Sequence, residues 1–427
     1  MHRKIKGLWG NEFIQGGFFL TASSMLVNLL NYFFYFIAGR MLGPGGYGEI
    51  TALLSYSAIV SVPFTIVTTF LIQKISAAGN NQLNYAYATE SYFWSRIKRY
   101  WYFWVIGLII TPLIPRLTNL SPVTAYFLVP LLFISLISSY YNAAFQGLRL
   151  FTVFAAIGAL AALLKLAGAV SLIVVNNLLT ILFFLLLSNL ISTIISYRLL
   201  HNKKRGFGSP AASINKRLIN ILTSRYFLMT LFSVLSITIL NNLDIIFVKK
   251  FFNPVESGIY NSWSLFAKII LYIVGPLTSI SFVFFSYSRY KQSQNRILNV
   301  SLAVLAFIAV ASYLGYVFFA KTFIGLLFGD KFLAVSPYLG QASIFGTFYT
   351  AITFINGYFL ARKSRYSLIL TVFLPLYFIL LFIIPRQITN IINLNIAFSA
   401  VVTIAYIAAY FYSIRAKTLL YNSDNGK

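Results

Sequence analysis

NNLDIIFVKKFFNPVESGIY, residues 241–260, sets Asp244, Lys249 and Lys250 into a stretch that is otherwise strongly apolar. NYFFYFIAGRMLGPGGYGEI, residues 31–50, has the same shape. At an offset of 210 residues Asn31 meets Asn241, Arg40 meets Lys250, Leu42 meets Phe252, Gly43 meets Asn253, Pro44 meets Pro254 and Gly48 meets Gly258. Pro fixes φ, and Gly or Asn tolerates the left-handed region, so each copy reads as a tight turn between two helices.

The runs on either side of these turns are about 20 residues long, enough to cross ~30 Å of hydrocarbon as helices. Such runs recur along the whole chain. Only 9% of the 427 residues are charged and 59% are hydrophobic, where a soluble domain carries about a quarter charged residues. Backbone groups in lipid must be bonded within the chain, and the runs are continuous rather than alternating, so helices are expected and a β-barrel is not. Twelve spans are predicted, at 13–38, 49–72, 100–118, 123–145, 151–175, 178–199, 226–248, 257–285, 299–319, 336–360, 367–384 and 394–414. The first, though it follows the basic stretch MHRKIK, is too long for a signal peptide and is read as retained.

Twelve is even, so both ends lie on one side. The 33 Lys and Arg residues split 24 to 7 between the two sets of loops, with Lys165 and Lys268 inside spans. The positive-inside rule then puts both termini in the cytoplasm of a multi-pass cell-membrane protein. A net charge of +26 would suggest nucleic acid in a soluble protein, but here topology accounts for it, and no nucleic-acid partner is expected. Contact with anionic membrane lipids is a by-product. Residues 84–104, NYAYATESYFWSRIKRYWYFW, mix aromatics with Arg96, Lys98 and Arg99 and read as an interfacial segment. There is no cysteine, which excludes disulfides and thiolate metal sites. His2 and His201 are read as solvated, in a tail and a loop.

Six spans separate the two turns, so the copies share one orientation and form a parallel repeat. The expected architecture is an all-α polytopic membrane protein: twelve transmembrane helices in two pseudo-twofold-related six-helix lobes around a central cavity. Residues 1–200 form the first lobe, 201–225 a cytoplasmic linker and 226–427 the second lobe. Such halves suit a transporter working by alternating access.

AGRMLGPGGYGEI after span one, QKIS after span two, AFQGLRLF at 144–151, residues 241–263, and LLFGDKFLAVSP at 326–337 resemble the polysaccharide biosynthesis or oligosaccharide flippase family. That family lies within the multidrug, oligosaccharidyl-lipid and polysaccharide exporter superfamily. The resemblance implies a V-shaped cavity between the lobes. It also implies cargo of a sugar chain on a polyprenyl phosphate or pyrophosphate, moved from the cytoplasmic to the outer leaflet. A glycan polymerase or other assembly enzyme is the protein partner that such a role implies. The peptidoglycan branch commonly adds two C-terminal spans, and none is found after Arg415.

Cargo of this kind needs a wet path with cations facing its phosphates, because isolated charge in hydrocarbon is costly. Lys268 lies near the middle of span eight, too far from an interface to snorkel. Lys165, in GALAALLKLAGAVS of span five, is as deep among small residues. Both are candidate phosphate ligands; the plainer alternative for each is a structural partner on a neighbouring helix. Asp244, near the end of span seven, is a candidate coupling site for Na+ or H+, or else a partner for Lys249 or Arg40. Arg40 joins Lys249 and Lys250 as interface anchors or as a cationic rim. Asn31 and Asn241 bond helix to helix or line the sugar path. Glu49, Glu256 and Asp330 are read as external and solvated. No cofactor beyond a coupling ion is expected.

Two rivals remain. A cation-coupled drug exporter of the same superfamily would want acids in its cavity, and here the deep charges are mostly basic. A polyprenyl-sugar-dependent membrane glycosyltransferase or polymerase would need paired carboxylates or a metal on an external loop. The external loops are short, the acids isolated, and there is no phosphate-cradling P-loop pattern.

Overall fold

Inside hydrocarbon a helix satisfies its own backbone, and this chain is helical throughout its described residues. The computed structural model describes residues 12–202, 225–286 and 294–425. The basic N-terminal tail and most of the expected linker fall outside them.

The helices are α1 (Glu12–Ala77), α2 (Gln82–Arg99), α3 (Trp101–Ile110, continued by turns to Thr118), α4 (Pro122–Gly147), α5 (Phe151–Val170) and α6 (Leu178–Asn202). There follow α7 (Arg225–Phe251), α8 (Pro254–Ser286), α9 (Gln294–Phe318), α10 (Ala320–Leu327), α11 (Leu339–Ala361), α12 (Ile369–Ile383) and α13 (Ile388–Asn425). Ten stretches of the described residues are long and apolar enough to cross a membrane. The first of these, Ser23–Ala77, holds two limbs, and α8 is a further long helix. The predicted twelve spans are therefore present, and the chain is a multi-pass membrane protein.

The first expected turn is not a loop. Helix runs from Glu12 to Ala77 and breaks only at Gly43, at φ 69° and ψ −179°. Gly is suited to that backbone. Pro44 then opens the second limb, where its missing N–H would have had no partner anyway. In the second copy α7 ends at Phe251 and Pro254 opens α8. Asn253 is not among the residues with positive φ, so the left-handed reading holds for the first copy alone.

The repeat shows most plainly in a turn that the sequence reading passed over. After α4, Leu148, Arg149 and Leu150 donate backbone N–H bonds to Ala144, Gln146 and Phe145. After α11, Arg362, Lys363 and Ser364 donate to Tyr358, Leu360 and Phe359. The pattern is the same at an offset of 214 residues, and Arg149 and Lys363 both take positive φ. Each is a helix C-cap closed by one left-handed residue.

The chain divides into two compact units. Unit 1 is Met1–Ser224 with Val248–Gly258, and unit 2 is Arg225–Phe247 with Ile259–Lys427. Unit 1 has two apolar cores. Phe34, Leu53, Leu131 and Leu182 mark one. Ile75, Tyr140, Tyr141 and Phe145 mark the other. In unit 2, Trp263 is fully buried, stacks on Phe345 with ring centroids 5.5 Å apart and donates Nε1 to the Tyr338 carbonyl at 3.0 Å.

Residues 248–258 pack in unit 1 against the first copy of the motif. A Cβ on Gly258 would stand 1.8 Å from the Pro44 carbonyl oxygen, and one on Gly48 would stand 3.2 Å from the Gly258 nitrogen. The shared glycine of the two motifs therefore serves close helix approach, not turn geometry. Beside it Lys249 Nζ meets Glu49 Oε1 at 2.6 Å, with side-chain exposures of 2% and 13%. The Ser121 amide donates to both Glu49 oxygens, and Asn119 Nδ2 donates to the Lys249 carbonyl. Glu49 is thus an ion-pair partner, not the solvated acid expected from the sequence, because its counterion lies 200 residues away in the chain.

Candidate functional site

In unit 1 the charged group at depth is Lys165. Its helix α5 is rich in Ala and Gly around this position, and small side chains let helices approach closely. Lys165 Nζ donates to Asn31 Oδ1 at 3.0 Å. It also lies 4.2 Å from the ring centroid of Phe34 and 5.0 Å from that of Tyr35. The aromatic faces and the amide oxygen partly replace the water that the ammonium gives up. Among the described residues no carboxylate pairs with it. An ammonium has three donors, and the amide takes one. What remains is a cation within a span with donors to spare, an arrangement suited to an anionic ligand.

In unit 2 the buried charged groups among the described residues are Asp244 and Lys268. Asp244 is 1% exposed. Its Oδ2 accepts from the Tyr260 hydroxyl at 2.5 Å and from Asn395 Nδ2 at 3.2 Å. Asn395 Nδ2 also donates to the Tyr260 hydroxyl oxygen at 2.6 Å, and Tyr377 donates to Asn395 Oδ1 at 2.5 Å. The donors run in one direction, from Tyr377 through Asn395 to the carboxylate, which fixes the amide orientation. Lys268 is buried on α8 and interacts electrostatically with Asp244. The helix is held there by a close crossing, since a Cβ on Gly346 of α11 would stand 2.2 Å from the Ala267 carbonyl oxygen.

Two buried oxygens on α7 make no hydrogen bond among the described residues. Asp244 Oδ1 is buried and makes no hydrogen bond, although the Ile245 amide is close enough to influence the carboxylate. Asn241 Oδ1, one turn earlier on α7, is likewise buried without a partner. Residues three apart share a helix face. The contrast with the first copy is chemical. Asn31, the counterpart of Asn241, receives Lys165, whereas the offset of 214 brings Ile379 to the place of that lysine.

The predicted site residues thus form two groups. Asn31 and Lys165 are in contact in unit 1, and Asn241, Asp244 and Lys268 belong to unit 2. Arg40 is exposed. Asp244 bonds to Tyr260 and Asn395, while Lys249 pairs with Glu49 and Lys250 donates to the Arg116 carbonyl. Sequence reasoning missed Tyr260, Tyr377 and Asn395. Nothing in their local sequence separates them from the chain's other 27 tyrosines and many asparagines.

The model of the family described as polysaccharide biosynthesis protein matches residues 37–337. The chain belongs to this family. It is similar to the teichuronic acid biosynthesis protein TuaB of Bacillus subtilis (strain 168), at 30% identity over 130 residues. That match covers 30% of this chain and 26% of the relative, about a quarter of its length.

Solved structures show the fold of this chain. An inward-facing multidrug resistance MATE family transporter of the MOP superfamily gives a TM-score of 0.65 at 14% identity, covering 92% of this chain and 98% of that one. An outward-facing form gives 0.63 at 14% identity, covering 94% and 96%. A MOP superfamily transporter from Pyrococcus furiosus Vc1 gives 0.60 at 16% identity, covering 92% and 95%; its binding pocket is described as reversed in polarity. The fold is that of these solved transporters.

Proposed function

We propose that this chain is a flippase that moves a polyprenyl-phosphate- or pyrophosphate-linked oligosaccharide across the cell membrane by alternating access. The observation that carries the reading is Lys165, a cation within a span that has donors to spare and, among the described residues, no carboxylate paired with it. A group of that kind suits phosphate, and a structural lysine would be expected to meet an acid. Lys268 is the second candidate ligand, softened by Asp244. The family supports a saccharide cargo, and the carrier's tail can remain in the bilayer while the headgroup crosses.

Asp244 and Asn241 suit a coupling ion. Their two unpartnered oxygens lie one turn apart on α7. A proton on Asp244 or a sodium ion accepted by both oxygens would satisfy the buried acceptors. A second reading, a cation-coupled exporter of small molecules, is favoured by the same acid and by the likeness to multidrug transporters.

The deciding experiment reconstitutes the protein in liposomes with a labelled polyprenyl-pyrophosphate oligosaccharide and measures its arrival in the opposite leaflet. Lys165→Met is expected to slow transport about tenfold or more, the loss of one charge-assisted contact. Parental rates in both Lys165→Met and Lys268→Met would remove these residues from the site. Movement of cationic dyes, with no glycolipid transport, would favour the exporter.

A further inference from the structure

A cavity of about 780 Å³ lies in unit 1, between α2, α4 and α6. It belongs to none of the groups described above. At its base is Glu90 of α2, only 3% exposed. Glu90 Oε1 accepts from the Tyr141 hydroxyl at 3.0 Å and lies 3.6 Å from His201 Nδ1. Oε2 makes no hydrogen bond among the described residues. Trp94 donates to the Tyr141 oxygen at 3.2 Å, and the Tyr197 ring lies 4.1 Å from that of His201. His201 is therefore not in a solvated loop but in the last turn of α6, half-buried against an acid.

The walls differ in character. Glu90, Trp94 and Lys98 recur every four residues and form one stripe of α2. Leu190, Ile194 and Tyr197 form a stripe of α6 and are 39%, 43% and 41% exposed. On a membrane-spanning helix that face meets acyl chains. Lys98 is exposed at the rim, and Arg96 and Arg99 are its neighbours in the last turn of α2. The Oε2 of this nearly buried acid, open to the cavity and set among aromatic rings, suits an ammonium, which can donate to it and lie against the ring faces. The lysine at the rim suits a phosphate. Glu90 and Lys98 are ~12 Å apart along the helix axis. A lysine side chain leans back toward its helix N-terminus, which shortens that gap.

We propose that this cavity binds the headgroup of a phospholipid with a primary amine, its ammonium on Glu90 and its phosphate on Lys98. The acyl chains lie along Leu190 and Ile194. A headgroup without an amine offers Glu90 Oε2 no donor, and a quaternary one has no N–H for it. The site is independent of the cargo proposed above.

The test is native mass spectrometry of the purified full chain, released from micelles holding equal amounts of phosphatidylethanolamine, phosphatidylcholine and phosphatidylglycerol. The parent is expected to retain one phosphatidylethanolamine in preference to the others. Glu90→Gln is expected to lower that retention about tenfold, the effect of one charge-assisted hydrogen bond. Leu190→Trp fills the mouth of the cavity and leaves its hydrogen bonds alone, so it is expected to lower retention with an unchanged melting temperature. It decides the matter should Glu90→Gln fail to fold. Equal retention of all three lipids, or parental retention in Leu190→Trp, overturns the proposal. So does displacement of the lipid by soluble phosphoethanolamine at equal concentration, which would point to a free amine.

Discussion

Removing one side of the Glu49–Lys249 pair should be far more harmful than removing both. At 2.6 Å the Coulomb attraction is about 6 kcal/mol for an effective dielectric of 20. Taking both ions out of water costs several kcal/mol each, so the pair as a whole contributes little net stability. Glu49→Gln keeps the volume and can still accept from the Ser121 amide, but it leaves Lys249, at 2% side-chain exposure, without a counterion. The expected loss is about 3 kcal/mol. Lys249→Met should lose less, about 1–2 kcal/mol, because Glu49 is 13% exposed and retains the Ser121 N–H. The double variant should lie within about 1 kcal/mol of the parent, since a neutral pair of similar volume often replaces a buried ion pair without penalty. Thermal unfolding in detergent micelles reads this directly. At about 1 °C per kcal/mol for a chain of 427 residues, Glu49→Gln should melt about 3 °C lower and the double variant should recover most of that. Additive single effects, with no recovery in the double variant, would refute the argument.

Gly258→Ala should destabilise the protein by about 3 kcal/mol or more, because its Cβ would meet the Pro44 carbonyl at 1.8 Å and backbone must move; melting in micelles checks it. Asp244→Asn should abolish the dependence of transport on an ion gradient while leaving the melting temperature within a few degrees, since the amide can still accept from Tyr260; persistence of ion dependence in the liposome assay would exclude this residue as the coupling group. The chain has no cysteine, so orientation can be read with single cysteines. A cysteine at exposed Lys331 should react with an impermeant maleimide in intact cells, and one at exposed Arg149 only after permeabilisation.

The spans were legible because twenty apolar residues in a row have few other fates, and the repeat was legible because Pro44 and Pro254 both open helices. What the repeat's glycine does was not legible. Gly48 and Gly258 look like turn residues in sequence, and only packing shows that their missing side chains are what matters. Glu49 and Glu90 were hidden for a related reason. An acid in sequence is by default read as solvated, and nothing local announces a lysine 200 residues on or a tyrosine 51 residues on. Lys165 and Lys268 were visible because a charge inside an apolar run has no ordinary explanation. The partners that define their chemistry came from other helices.

Val248–Gly258 lies on the C-terminal side of residues 203–224, yet it completes the first compact unit. An N-terminal fragment ending within residues 203–224 would carry Glu49 without Lys249 and Pro44 without Gly258. The two pieces of a cleaved chain would have to find one another again, so co-expression of complementary fragments, not isolated halves, is the form in which this protein can be divided.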